Sequence, residues 1–130
     1  MPCTYSIDES QRLVLTTVRD VATAEQAFSH QESLATDPRF RPEFNQLIDC
    51  TQVTKLQMNT TEIRALAKRN FFASGARRAL LVNGTLLRGL ARMLTTFRDL
   101  AGAKEEIQIF EDRDEAMKWL ADSSESPRQT

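Results

Sequence analysis

The chain has 130 residues, 41% of them hydrophobic and 27% charged, with a formal net charge of −1. That is the size of one domain, large enough to bury a core without disulfide or metal staples. The longest apolar run, Ala79 to Val82, falls far short of a membrane span. A pI near 5.9 and the lack of any nucleic-acid motif argue against a nucleic-acid partner.

The opening residues, MPCTYSIDES, lack the charged start and apolar core of a signal peptide. Cys3 and Cys50 stand far apart, so they read as free thiols in a reducing, cytoplasmic setting. Thr4 to Ile7 and Leu13 to Val18 are rich in β-branched and aromatic residues, and the turn formers DESQ between them predict an antiparallel hairpin. Thr23, with Gln26 three positions on, opens a helix whose apolar side is Ala24, Ala27, Phe28 and Leu34 together with Gln31. His30 falls on its polar side, with no second ligand at metal spacing, and reads as solvated. Pro38 and Pro42 make the next stretch a loop.

Gln46 to Cys50 is a short buried strand that ends in polar residues, and a loop is expected after it. Asn59 and Glu62 have capping-box spacing for a helix from Thr60 to Ala73, with Ile63, Leu66, Ala67, Asn70 and Phe71 inward. Arg77 to Val82 is a strand whose continuous apolar run suits burial on both faces. Asn83-Gly84 breaks it, and a long helix to Leu100 is predicted to bury Leu86, Leu90, Met93, Phe97 and Leu100. Ile107 to Phe110 reads as an edge strand. A last helix capped by Asp112 and Glu115 follows, with Ala116, Trp119 and Leu120 as its apolar side, and residues 122–130 read as a flexible polar tail. The order ββαβαβαβα predicts one α/β domain over residues 1–121. Its five-stranded mixed sheet runs in sequential order, strand 1 antiparallel and strands 2–5 parallel, with four helices.

Charge is unevenly spread. Eight basic residues and no acid lie between Ile63 and Arg98, whereas Glu105 to Glu125 holds eight acids and two bases. Two readings are open: a basic partner surface formed by Arg64, Lys68, Arg88 and Arg92, or mutual attraction of the two segments across the domain. No Walker loop, GxGxxG, HExxH or CxxC occurs, so no cofactor, metal or catalytic activity is expected. Cys50, at a strand's carboxyl end, could act only as a thiolate, and a buried cysteine is more often a small hydrophobe. Asp49 is expected to accept N–H bonds from the residues after it. The helix start at Asn83-Gly84, with Arg88 one turn on, has the makings of an anion site.

The order of elements resembles the STAS fold of SpoIIAA-like proteins. The strand ending Leu47-Ile48-Asp49, the capped helix after it, the ALLVNG strand and the close IQIFEDRDEAMKWL carry the resemblance over roughly residues 4–121. It implies a binding or regulatory module whose ligand or partner sits near the strand-3/helix-2 loop. The candidate residues are Asp49, Cys50, Asn59, Thr60, Thr61, Asn83, Gly84, Arg88 and Arg92. In STAS switch proteins a serine at the start of the second helix takes phosphate. Here Thr60 and Thr61 stand in its place, while Glu62 would repel an added phosphate. Such a module admits a protein partner, a homodimer or a small apolar or anionic ligand. The fold's Sec14-like relatives imply the alternative of a lipid-like carrier or a protein resting on a membrane surface.

Overall fold

The structure, a computed structural model, describes residues 3–125, and the side chains of residues 3–122. β1 (Cys3–Asp8) and β2 (Leu13–Thr23) pair antiparallel, with Cys3 opposite Val18 and Asp8 opposite Leu13. Asp8 shapes the turn between them: its carboxylate accepts from the Ser10 hydroxyl at 2.7 Å and the Gln11 N–H at 3.1 Å. Then come α1 (Ala24–Ala35), β3 (Asn45–Gln57), α2 (Thr60–Ala67), β4 (Arg77–Leu81), α3 (Gly84–Leu100), β5 (Glu106–Phe110) and α4 (Arg113–Glu125). The strand order is β1-β2-β3-β4-β5, and every pairing after the hairpin is parallel. This is the mixed sheet that βα alternation predicts, with β5 at the edge.

Successive side chains of a strand point to opposite faces. Leu13, Leu47, Ala79 and Leu81 therefore face α4, where they bury Ala116 and Leu120. The alternate residues Leu80 and Val82 face the other way and pack with Leu87 and Ala91 of α3. Cover on both faces explains why β4 carries no polar alternation from Ala79 onward.

Four local differences from the sequence reading appear, the first three with physical causes. First, the stretch after Cys50 is strand to Gln57, not loop. It pairs with β2 as far as Thr23, through register shifts near Val18 and Val21 and with Asp20 at φ 60°. A half-solvated ribbon has a polar side, and in TQVTKLQ that side mimics a loop. Second, α2 stops at Ala67, six residues before Ala73. The guanidinium of Arg98 donates from Nη1 to the carbonyls of Ala67 and Arg69, both at 2.8 Å, and to Asn70 Oδ1 at 3.0 Å. A cation at those orphaned carbonyls replaces the next turn of helix.

Third, α3 is rotated by about one residue from the predicted stripe. Leu87, Ala91 and Arg98 are buried, whereas Leu86 and Leu100 are 66% and 79% exposed. Arg98 is drawn inward by Glu105, and a helix with leucines on two sides follows its buried ion pair. Fourth, α4 continues to Glu125, into the stretch expected to be tail; residues 126–130 lie outside the described residues.

The start of α2 agrees with its sequence. Asn59 Oδ1 accepts from the Glu62 N–H at 2.8 Å, and Glu62 Oε1 accepts from the Asn59 N–H at 2.9 Å. Asn59→Ala is expected to cost about 0.5–2 kcal/mol in urea unfolding. The neighbouring Thr60→Ala should stay within about 0.5 kcal/mol. Equal losses at the two positions would mean that the cap is elsewhere.

Candidate ligand-binding site

A cavity of about 160 Å³ lies between the sheet and helices α1, α2 and α3. Its middle is apolar, walled by Ile48 and Leu80 from the sheet and by Ile63, Leu87, Leu90 and Leu94 from the helices. Val53 and Leu56, from the ribbon end of β3, extend the wall. One set of polar groups gathers at the amino ends of the parallel strands. There Gln46 of β3 is in register with Arg78 of β4, and Thr16 of β2 lies beside them.

These side chains form one directed chain of hydrogen bonds. Arg78 Nε donates to Gln46 Oε1 at 3.0 Å, and Gln46 Nε2 donates to Thr16 Oγ1 at 2.9 Å. Thr16 Oγ1 also bonds His30 Nε2, 3.1 Å away. The hydroxyl keeps its proton and a second lone pair for that contact, so the tautomer of His30 decides which of the two donates. Burial, with the charge of Arg78 added, pulls the His30 pKa down to about 4. The ring also meets Tyr5 edge-on at 5.3 Å. His30 thus faces the cavity rather than solvent: the helix stripe extends one position further round than its apolar residues suggest.

Behind this chain lies a buried ion cluster. Glu105 accepts from Arg78 Nη1 at 3.0 Å and from Arg98 Nη2 at 2.6 and 2.7 Å. Burial alone would raise the carboxyl pKa of Glu105. The hydrogen bond from Arg98 and the charge of Arg78 outweigh it and hold the group below its ordinary value. Burial also lowers the pKa of Arg78, against the pull of Glu105, but a guanidinium stays charged in proteins. Its Cζ lies over the Phe72 ring, 4.7 Å from the centroid.

The two thiols also line the cavity, and neither is activated. Burial pushes the Cys3 pKa to about 11, and burial with the nearby Asp49 charge pushes Cys50 to about 12. Cys50 is thus a protonated hydrophobe at neutral pH. Among the described residues no group of three or more His, Cys, Asp or Glu could hold a metal, and no helix is long and apolar enough to cross a membrane.

The other residues singled out from sequence are divided among several places. Asp49 points to the α4 face, where it accepts from the Thr51 N–H at 2.9 Å, the Thr51 hydroxyl at 2.7 Å and Arg113 Nη1 at 3.0 Å. Thr60 and Thr61 are exposed on the first turn of α2, beside the cap formed by Asn59. Asn83 leaves the start of α3 uncapped and instead donates to the Thr51 carbonyl at 3.3 Å. Gly84 follows at φ +82°. Arg88 is paired with Glu111, while Arg92 is exposed. The basic and acidic segments in fact meet: Arg77–Glu106, Arg78–Glu105, Arg88–Glu111 and Arg98–Glu105 join them. The single basic surface of Arg64, Lys68, Arg88 and Arg92 is therefore broken at Arg88.

The sequence reading did not single out Thr16, Gln46, Arg78 or Arg98 as site residues. A signal existed. Val14-Thr16-Val18, Gln46-Ile48-Cys50 and Arg78-Leu80-Val82 each carry a polar residue on an otherwise apolar strand face, and the pairing of the strands brings these together.

No family model matches the chain, and no curated protein matches it. Among solved structures it is similar to an uncharacterized protein of the DUF3478 family from Shewanella loihica PV-4, which has a SpoIIAA-like fold. The two share 24% sequence identity and a TM-score of 0.60, over 91% of this chain and 93% of that one. Together with the sheet order and the four helices, that likeness shows that this chain has the SpoIIAA-like fold.

Proposed function

We propose that the protein is a non-catalytic binding module whose ligand is a small, largely apolar molecule held between the sheet and α1–α3. The observation that carries this reading is the cavity of about 160 Å³ with apolar walls and a polar end. Protein interiors are close-packed, whereas here the side chains of sheet and helices leave an apolar recess of that volume between them. The size favours a small molecule over a two-chain lipid: an apolar cavity of about 150 Å³ holds benzene, whereas drug-sized ligands need about 300 Å³ or more. Protonated thiols and an imidazole whose Nε2 is already engaged support binding rather than chemistry.

Calorimetric titration with 1-hexanol and 2-phenylethanol tests the reading. Saturable one-to-one binding is expected. It should be lost in Ala27→Phe, where a ring on the α1 wall projects into the space, while the melting transition of that variant shows that it is folded. Failure of both alcohols, and of phenylacetate as well, to saturate the unmodified protein would end the proposal.

A further inference from the structure

We infer that the natural ligand of this cavity is a small monocarboxylate with an apolar body about the size of a benzene ring, its acid group seated against Arg78. This rests on the binding-module reading. The first ground is charge. The cavity wall contains Arg78 and Arg98 and, among the described residues, no Asp or Glu. Behind the wall both guanidiniums share one carboxylate, Glu105. The side chains of Glu105, Arg98 and Arg78 are only 1%, 3% and 13% exposed. Two cations and one anion leave a single uncompensated positive charge in a poorly solvated place. Hydrogen bonds from Arg98 to main-chain carbonyls satisfy its protons but do not cancel its charge. His30 adds no anion and, neutral at pH 7, no further cation.

The second ground is unmet hydrogen-bonding capacity. Arg98 uses Nη1 and Nη2 on five acceptor contacts, and its Nε is buried without an acceptor. Arg78 uses Nε on Gln46 and Nη1 on Glu105; its Nη2 makes no hydrogen bond to the described residues and, unlike Arg98 Nε, is not fully buried, so it is a donor that a ligand can reach. Its cation–π contact with Phe72 and its bonds to Gln46 and Glu105 hold the guanidinium in place. A fixed, planar, charged donor matches a carboxylate, and such charge-assisted bonds are about twice as strong as neutral ones. One missing negative charge calls for a monoanion. Gln26 and Gln31, on the α1 wall, each bury an amide oxygen without a donor. Those oxygens would accept from a ligand N–H or O–H. The two arginines make a cationic donor unfavourable, so a neutral hydroxyl or amide on the ligand body fits them.

The test compares three probes with the same body: phenylacetate, 2-phenylethanol and 2-phenylethylamine, titrated at pH 7. The acid is expected to bind at least about tenfold tighter than the alcohol, and the amine more weakly than the alcohol. In Arg78→Met the acid and alcohol affinities should fall within about twofold of each other. If that variant does not fold, Arg78→Lys, which keeps the charge but loses the planar fork, should lower the preference part of the way. An alcohol bound as tightly as the acid in the unmodified protein would overturn the carboxylate and leave the cavity reading standing. A preference unchanged in folded Arg78→Met would overturn the seat. No binding of any probe would end both readings.

Discussion

Glu105→Gln is expected to remove about 3–5 kcal/mol of stability, the usual cost of breaking a buried ion pair from one side. The carboxylate is the one counter-charge for Arg78 and Arg98, and its side chain is 1% exposed. With an amide there, two guanidiniums face each other across a space water scarcely reaches. The damage should also spread. Arg98 holds the carbonyls of Ala67 and Arg69, and a repelled Arg98 would release the end of α2. Urea unfolding, with the slope unchanged so that the midpoint reports stability, measures the loss. A cost below about 1 kcal/mol would show that the arginines do not need the carboxylate. The same group sets a pH dependence. Its folded pKa lies below its unfolded value. Its contribution is therefore complete above the unfolded value, ~4.3, and disappears as pH falls through the lower folded one.

The second large effect belongs to His30. Burial and Arg78 hold its folded pKa near 4, against an ordinary 6.5. The unfolded chain therefore binds a proton between those two values that the folded chain refuses. Stability is full above about pH 6.5 and falls as pH drops toward about 4. A gap of that size amounts to roughly 3 kcal/mol. Carboxylates titrate in the same window, so the measurement is a difference: unfolding free energies of the unmodified protein and of His30→Gln, at pH 7 and pH 4. Glutamine offers the Thr16 hydroxyl both an acceptor and a donor and cannot ionise. The unmodified protein should lose roughly 3 kcal/mol more than the variant over that range. Parallel losses would mean that His30 takes up its proton in the folded state at no cost.

Much of the architecture is legible in the chain. The run Ala79–Val82 announces a strand covered on both faces, and the structure covers it with α4 on one side and α3 on the other. Thr23 and the Asn59–Glu62 pair announce two helix starts: Asn59 and Glu62 make the full reciprocal box, whereas Thr23 accepts from the Gln26 N–H and Gln26 returns no bond. These features are local, so spacing along the chain suffices to read them. The candidate site was less legible because its logic is not local. Arg98 sits in a helix that has leucines on two sides, and hydropathy cannot say which side is inside. The choice is made by Glu105, seven residues away beyond the end of that helix. Gln46 and Arg78 look like the polar starts of two apolar strands. Their meaning comes from being in register, 32 positions apart. His30 looks solvated until Thr16 is placed opposite it across the gap between helix and sheet.

The cavity takes its walls from β1 through β4 and from α1, α2 and α3. No fragment of the chain contains it, and the unfolded chain has no site at all. Occupancy and folding are therefore linked by mass action: whatever fills the cavity stabilises the whole domain. A ligand at one hundred times its dissociation constant adds about 2.7 kcal/mol, a sizeable share of the ~5–15 kcal/mol by which domains exceed their unfolded states. On the proposed reading, the folded population of this protein rises and falls with the supply of its ligand.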